Sequence, residues 1–177
     1  MKIIKINPFE QPQMVGAIAS VYQQSFGGEP WNEGYLCPLC ESVFASTPTL
    51  STCPKCTEQS LSVLVVEYWP ISKVVSDFYR EMKNPNPICT VAQSDDGVIG
   101  FAWGYQVSAG SDLDKYLDAP DLRQSLRGDF FYLDECALTP FHQGRGVGKL
   151  LVKQIFREQK QGRILLRTMN DSRMYNL

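Results

Sequence analysis

The chain has 177 residues, an apolar fraction of 44% and a formal net charge of −2, which fits one domain, or one domain with a small insertion, and is enough to build a substantial core. So weak an acidic balance offers no field to attract nucleic acid or an anionic membrane surface, and polyanionic partners are disfavoured. The longest mainly apolar run, Leu61 to Trp69, is broken by Glu67 and far too short to cross a bilayer.

Met1 to Pro8 lacks the apolar core and small-residue cleavage site of a signal peptide, so a cytoplasmic protein is expected. Lys2 to Asn7 alternates as a first strand. Pro12 is well placed near the start of a helix with apolar residues at 14, 17, 18, 21, 22 and 26, and Gly27-Gly28 ends it. A cysteine-rich stretch occupies 36–57. The apolar segment from Leu61 then leads into a helix over Ile71 to Met82, stopped by Asn84-Pro-Asn-Pro87. Strands over Ile88 to Gln93 and Val98 to Val107 flank Asp95-Asp96-Gly97, a hairpin signal. Ser111 to Leu126 reads as a helical excursion, and Asp112, Asp114, Asp118 and Asp121 cap and solvate it. A strand ending at Pro140, a helix to Gln161 with Gly162 as cap, and a strand over Arg163 to Thr168 complete the pattern.

Four of the six cysteines fall as Cys37-Pro-Leu-Cys40 and Cys53-Pro-Lys-Cys56. Each pair sits on a tight turn that can aim two sulfurs at one ion, and four thiolates suit the closed tetrahedral site of a structural Zn²⁺. Disulfides are the competing reading, disfavoured in a reducing compartment. With every ligand place filled by sulfur there is no open position for water or substrate, so catalysis at this metal is not expected. Glu33, Glu41 and Glu58 outnumber Lys55 around it, which disfavours nucleic-acid binding. Two roles stay open for the clip: a staple for a loop too small to hold its own core, or one wall of a substrate site.

The segment Phe141-His-Gln-Gly-Arg-Gly-Val-Gly148 opens a helix with apolar residues at 147, 150, 151, 155 and 156. Alternate glycines let backbone N–H groups converge, and the helix N-terminus adds partial positive charge, so the loop suits a pyrophosphate. A Walker loop would need Gly at 143 and Ser or Thr at 150, where Gln143 and Leu150 stand. The dinucleotide fingerprint started at Gly144 would need Gly at 149, where Lys149 stands. What remains is Gln143-Gly-Arg-Gly146-Val-Gly148, preceded by Cys136-Ala-Leu138-Thr-Pro140.

This combination resembles the acetyl-CoA signature of the GCN5-related N-acetyltransferases (GNAT). The order of elements is also similar to that family from its first strand to its fifth. The resemblance implies an α+β fold over 1–177 with a central, mostly antiparallel twisted sheet flanked by helices, carrying the zinc clip at 36–57 as an insertion. It implies acetyl-CoA as cosubstrate and a primary amine, small molecule or protein, as acceptor. Backbone groups of Cys136, Ala137 and Leu138 would pair with the pantetheine arm, with the Leu138 N–H facing the thioester oxygen and a bulge supplying unpaired groups. The amides of Gln143, Gly144, Arg145, Gly146, Val147 and Gly148 would hold the pyrophosphate, Arg145 adding charge, and Asn170 would touch the cofactor arm.

Acetyl transfer to an amine needs no enzyme nucleophile, only positioning, an oxyanion donor, a base and a leaving-group acid. Strand alternation puts Tyr132, Asp134 and Cys136 on one face and Glu135 on the other. Asp134, matching a base in some family members, is the first candidate base and Glu135 the second. The family's usual acidic tyrosine falls seven residues past the asparagine, at Leu177, and Tyr175 is a substitute two places early. His142, the only histidine, sits in the cofactor loop as a covering residue, which removes Ser-His-Asp and Cys-His schemes. Cys136 and Cys89 read as apolar packing residues. Trp31, Trp69 and Trp103 read likewise, with Trp31 also placed to line a substrate pocket.

Family members continue past this chain's last residue through a fourth helix and further strands. The expectation is therefore a truncated product, a shortened pseudo-enzyme, or a homo-oligomer formed through the open edge at Ile164-Leu-Leu166. Two other readings stay open: a non-catalytic CoA-binding sensor, and a zinc-ribbon interaction module on an acyltransferase scaffold.

Overall fold

The computed structural model describes residues 1–47, 49–109, 126–160 and 162–168. Pro12 and Gly27 act as the sequence predicts. After β1 (Lys2–Ile6), helix α1 (Pro12–Phe26) starts at the proline, whose missing N–H the first turn could not have used, and ends where the Gly27 N–H bonds back to the Gln23 carbonyl. Short strands β2 (Tyr35–Leu36), β3 (Val43–Phe44) and β4 (Val66–Glu67) and one turn of helix, α2 (Pro54–Thr57), follow. Then come α3 (Ile71–Glu81), β5 (Ile88–Ser94), β6 (Gly97–Ser108), β7 (Asp129–Leu138), α4 (Val147–Glu158) and β8 (Ile164–Leu166).

The five longer-range strands form one sheet in the order β1-β5-β6-β7-β8, antiparallel except for the parallel β7–β8 pair. The hairpin signal is realised as a two-residue turn between β5 and β6, with Gly97 at φ 97°. One face of the sheet packs on α1 and α3 through Val15, Ile18, Tyr22, Val74, Phe78, Phe101 and Trp103. The other packs on α4 through Ala102, Phe131, Leu133, Leu151 and Ile155. This is the mixed, mostly antiparallel architecture expected from the sequence. α4 stops at Glu158 rather than Gln161, because Gln159 turns to an extended conformation with ψ 151°. The expected helix over 111–126 lies outside the described residues, apart from Leu126, as do Asp112, Asp114, Asp118 and Asp121. No described helix is long and apolar enough to cross a membrane.

β2, β3 and β4 make a separate three-stranded sheet in the order β3-β2-β4. It connects the C-terminus of α1 to the N-terminus of α3, so that whatever shapes it also shapes the approach to both helices. In the main sheet, Gly104 faces β7 with no room for a side chain. A Cβ there would meet the Tyr132 carbonyl and the Phe131 ring. Gly104→Ala should therefore destabilise the fold by about 1–3 kcal/mol through overpacking, read as a lower denaturant midpoint at unchanged m-value.

Candidate active site

The β6–β7 register slips by one residue beside Gly104. Trp103 faces Glu135 while Gly104 faces Leu133, so Asp134 is the extra, unpaired residue of a bulge. Simple alternation would have separated Asp134 from Glu135. The extra residue instead rotates the following segment by one place, and both carboxylates end up on the α1/α3 face of the sheet. Cys136, expected to share a face with Asp134, packs with Leu138 on the α4 side.

The two carboxylates line a pocket of about 170 Å³ with Tyr22, Trp69, Trp103, Asp77, Arg80 and Glu81, room for on the order of ten waters. The Tyr22 hydroxyl donates to Glu135 Oε1 at 3.1 Å, and the Trp103 indole N–H to Asp134 Oδ2 at 3.4 Å. Burial and the charge of Glu81 push the Asp134 carboxyl up to about 6, against hydrogen bonds from Trp103 and Tyr105 that favour its ionised form. Burial and the neighbouring Asp134 push Glu135 to about 8, despite the Tyr22 hydrogen bond. Burial and Glu135 also raise the Tyr22 phenol, so it stays a donor. The α3 carboxylates are partly offset: Arg80 bonds Asp77 at 2.7 Å and Glu81 at 3.2 Å, and Lys73 bonds Asp77 at 3.2 Å while lying 3.8 Å from the Trp69 ring centre. The pocket floor keeps net negative character between aromatic walls.

Beyond the bulge, one edge of β7 has no strand partner among the described residues. β8 pairs only with Phe131 to Leu133, so among the described residues nothing pairs with the outer edge of Glu135–Leu138 as a strand. The Thr139 N–H bonds the Ile99 carbonyl. By the two-residue alternation of an antiparallel ladder, the peptide groups of Leu138 and Cys136 therefore point away from β6 into that gap, while those of Ala137, expected with them, face β6 opposite Phe101. The Leu138 carbonyl is already used, accepting from Ser25 Oγ at 2.7 Å and Gln143 Nε2 at 3.1 Å. Gln143 thus anchors the start of the glycine loop to the end of β7.

Gly144 and Gly146 take φ of 72° and 78°, and Gly146 is the N-cap of α4, with no side chain capping the helix and no acidic residue in its first turn. The N–H groups there stay available for an anion. Arg145 stacks 4.4 Å from the Phe141 ring, and His142 Nδ1 lies 2.7 Å from Thr139 Oγ1, which braces the loop from within. His142 has no contact with the carboxylate pair among the described interactions.

The four clip cysteines converge, their sulfurs all within 4.8 Å of one another. The Cys37–Cys56 and Cys40–Cys53 sulfur distances are 3.7 and 3.6 Å. A ZnS₄ tetrahedron with Zn–S near 2.3 Å has an edge of about 3.8 Å, whereas a disulfide is about 2.05 Å. The Cys56 N–H also points at Cys53 Sγ, 3.4 Å away. The donor set therefore fits Zn²⁺, with Cys37, Cys40, Cys53 and Cys56 as ligands.

Asn170 and Tyr175 lie outside the described residues. Trp31 stacks on Phe26, 5.3 Å between ring centres, and is not among the pocket residues; Trp69 and Trp103 take that place. Tyr22, Asp77 and Glu81 were not anticipated from sequence. The spacing of Val74, Asp77, Phe78 and Glu81 on one stripe of α3 was the available signal.

The sequence profile of the acetyltransferase (GNAT) family matches residues 56–175. No curated protein matches the chain. Among solved structures, the chain is similar to an aminoglycoside N-acetyltransferase, AAC(6')-Iy, in complex with CoA, at a TM-score of 0.55 and 12% identity over 99% of this chain and 81% of that one. The same enzyme with the bisubstrate analogue CoA-S-monomethyl-acetylneamine gives 0.53 and 12% over 99% and 84%. A tetramutant of the BH1408 protein from Bacillus halodurans gives 0.53 and 13% over 99% and 88%. At these identities the likeness is one of fold.

Proposed function

The chain belongs to the acetyltransferase (GNAT) family, and from that premise we propose that it moves the acetyl group of acetyl-CoA directly onto a primary amine held in the acidic, aromatic pocket. The observation that carries this reading is the β7 bulge. It sets two carboxylates of raised pKa at the floor of a pocket, on the strand whose next residues leave their outer edge open beside an uncapped glycine loop. Support also comes from the CoA and the CoA–aminoglycoside analogue named in the similar structures.

Acetyl-CoA supplies the activated acyl group. The N–H groups of Gly144 to Gly148 would hold its pyrophosphate, whereas that of Gln143, expected among them, already bonds the Pro140 carbonyl at 3.4 Å. The outward peptide groups of Cys136 would hold the pantetheine arm, and the Leu138 N–H, whose own carbonyl is taken by Ser25 and Gln143, would face the thioester oxygen. Leu138 stands three residues from Glu135, about 10 Å along the strand, so a water links the carboxylate pair to the reacting amine. An alkylammonium has a pKa near 10.4, and presenting the free amine at pH 7 costs roughly 4–5 kcal/mol unless its proton is accepted. Asp134, ionised at pH 7, accepts that proton, and Glu135 sets its electrostatic surroundings. The amine nitrogen then forms a bond to the thioester carbon, the C–S bond breaks, and the second nitrogen proton leaves to the departing thiolate. The products are the N-acetylated amine and CoA.

The clip at 36–57 is an insertion of this acetyltransferase unit and holds a structural Zn²⁺ through Cys37, Cys40, Cys53 and Cys56. Calorimetric titration of acetyl-CoA into the zinc-loaded chain tests the cofactor half. Micromolar binding is expected, and Gly146→Trp should weaken it at least 100-fold. A Cβ at Gly146 meets nothing within 4 Å, so the added side chain would stand in the cradle itself. The φ of 78° adds about 1–2 kcal/mol of backbone strain, which a thermal melt of the variant separates from lost binding. Undetectable binding by the intact chain would refute the reading.

A further inference from the structure

The two strands that leave the cysteine centre end at the catalytic pocket. β2 lies between Cys37 and Glu33, and the chain leaves β4 toward Trp69, with Tyr35 opposite Glu67 and Leu36 opposite Val66. At the cysteine end, β2 is fixed by Cys37 itself. The approach to β4 is fixed to the second knuckle, where the Cys53 N–H bonds the Val63 carbonyl and Thr52 bridges Leu64. At the pocket end the same two segments are closed by one side-chain contact, the Trp69 indole N–H donating to Glu33 Oε2 at 2.7 Å. The Tyr68 N–H bonds the Gly34 carbonyl beside it.

Trp69 is a wall of the pocket, and its ring meets Tyr22 edge-on, 5.3 Å between centres at 76°. Tyr22 is the residue that donates to Glu135. A continuous chain of contacts therefore joins the four sulfurs to the carboxylate pair, and it passes through no residue of the cofactor loop.

We infer that the four-cysteine centre, once it holds zinc, is a positioning element of the acceptor pocket: it fixes Glu33 opposite Trp69, and Trp69 sets Tyr22 against Glu135. This rests on the metal reading given above. Zinc ties β2 and β4 together at one end, and the register so imposed brings the indole and the carboxylate into contact at the other. The charge of Glu33 is also felt by Glu135 and Tyr22. Two anchors of Trp69 lie outside the clip: Gln23 Nε2 donates to its carbonyl at 3.0 Å, and Lys73 lies over its ring. Loss of zinc should therefore free the indole N–H while the backbone of Trp69 stays in place.

The test is ¹⁵N–¹H spectroscopy of the indole groups in the full-length chain, with zinc measured in the same sample, before and after chelation. In the loaded protein the Trp69 indole N–H should be shifted downfield and protected from exchange. Chelation should move it upfield and speed its exchange at least tenfold, reversibly on adding Zn²⁺. The Trp103 indole, bonded to Asp134, should hold its shift, and the acetyl-CoA Kd should stay within twofold. Glu33→Ala with zinc bound should reproduce the freed indole, while Glu33→Gln, whose amide oxygen still accepts, should retain most of the contact. An unchanged Trp69 resonance after zinc is removed overturns the inference. So does a collapse of the whole spectrum with loss of acetyl-CoA binding, which would make the metal a staple of the entire fold. A chain that takes up no zinc defeats the metal reading and the inference with it.

Discussion

Asp134→Asn should lower acetyl transfer at pH 7 by about 10²–10⁴-fold while leaving acetyl-CoA affinity within twofold, and Glu135→Gln should cost about tenfold at the same pH. The asymmetry follows from the two carboxyls titrating as a coupled pair. Asp134 loses its proton first, at about 6, and its charge helps to hold Glu135 protonated up to about 8. A base must be unprotonated to work, so activity should rise with pH through about 6 and again through about 8. Asp134→Asn removes the lower limb and, by deleting the neighbouring charge, moves the Glu135 limb down. Glu135→Gln keeps only the lower limb. Profiles flat from pH 5.5 to 8.5, a range on the order of the two limbs, in either variant would exclude the pair as the proton acceptor.

The same groups make a stability statement of opposite sign. A carboxyl whose pKa is raised on folding binds more protons in the native state than in the unfolded one between its two pKa values. Stability therefore falls as pH rises from the ordinary carboxylate range to about 8, where Glu135 finally ionises. Glu135→Gln keeps an oxygen for Tyr22 and removes the buried charge. It should flatten that slope and leave the variant more stable than the wild type above pH 8, by on the order of 2 kcal/mol. A site that gains stability on losing its acid is one where the fold sustains an unfavourable charge for chemistry.

The strands were legible in the sequence because alternation over Lys2–Ile6 and the Asp-Asp-Gly turn obey local rules. The bulge at Asp134 was not. Period-two reading assumes an unbroken register, and the slip is set across the sheet by Gly104, which lets β7 approach more closely than any side chain would permit. For that reason the sequence singled out these two carboxylates but put them on opposite faces, whereas the bulge brings both to one pocket. The glycine loop and the paired Cys-Pro-x-Cys knuckles were legible for the opposite reason: their chemistry is local, carried by positive φ and by sulfurs three positions apart. Trp69, Tyr22, Asp77 and Glu81 come from three separate segments and meet only through packing of α1 and α3 on the sheet. Apart from the stripe that Asp77 and Glu81 share on α3, nothing in their own neighbourhoods distinguishes them from ordinary helix and loop residues. Trp31 shows the converse. It reads first as a packing residue and second as a pocket wall, and it packs on Phe26, whereas Trp69 and Trp103, read only as packing, line the pocket.

Chelation of zinc, or Cys53→Ser, should open the insertion to trypsin at Lys55 and leave the five-stranded sheet folded. The reason is how little else holds this segment. Its buried residues are Cys37, Cys53 and Cys56, backed by the partly buried Phe44, Val63 and Val65, while Leu39 and Leu64 are 60% and 68% exposed. Its strands are two residues long and its helix a single turn. Ordering a segment costs about 1–2 kcal/mol per residue, and three partly buried side chains at about 1.5–3 kcal/mol each cannot offset that. A thiolate-bound zinc, at about 10–16 kcal/mol, can. The main sheet has its own two cores on either face and draws on none of these residues. Lys55 is the only lysine or arginine between Lys5 and Lys73, and it sits in the turn between Cys53 and Cys56, where a bound Zn²⁺ would keep the backbone helical and closed to a protease. Cleavage into fragments 1–55 and 56–177 should therefore speed up at least tenfold on chelation, an order of magnitude that corresponds to about 1.4 kcal/mol of lost local protection. The circular dichroism of the sheet and the acetyl-CoA affinity should barely change. Equal cleavage rates with and without zinc would mean that the segment is held by its protein contacts alone, and the four cysteines would then need another explanation.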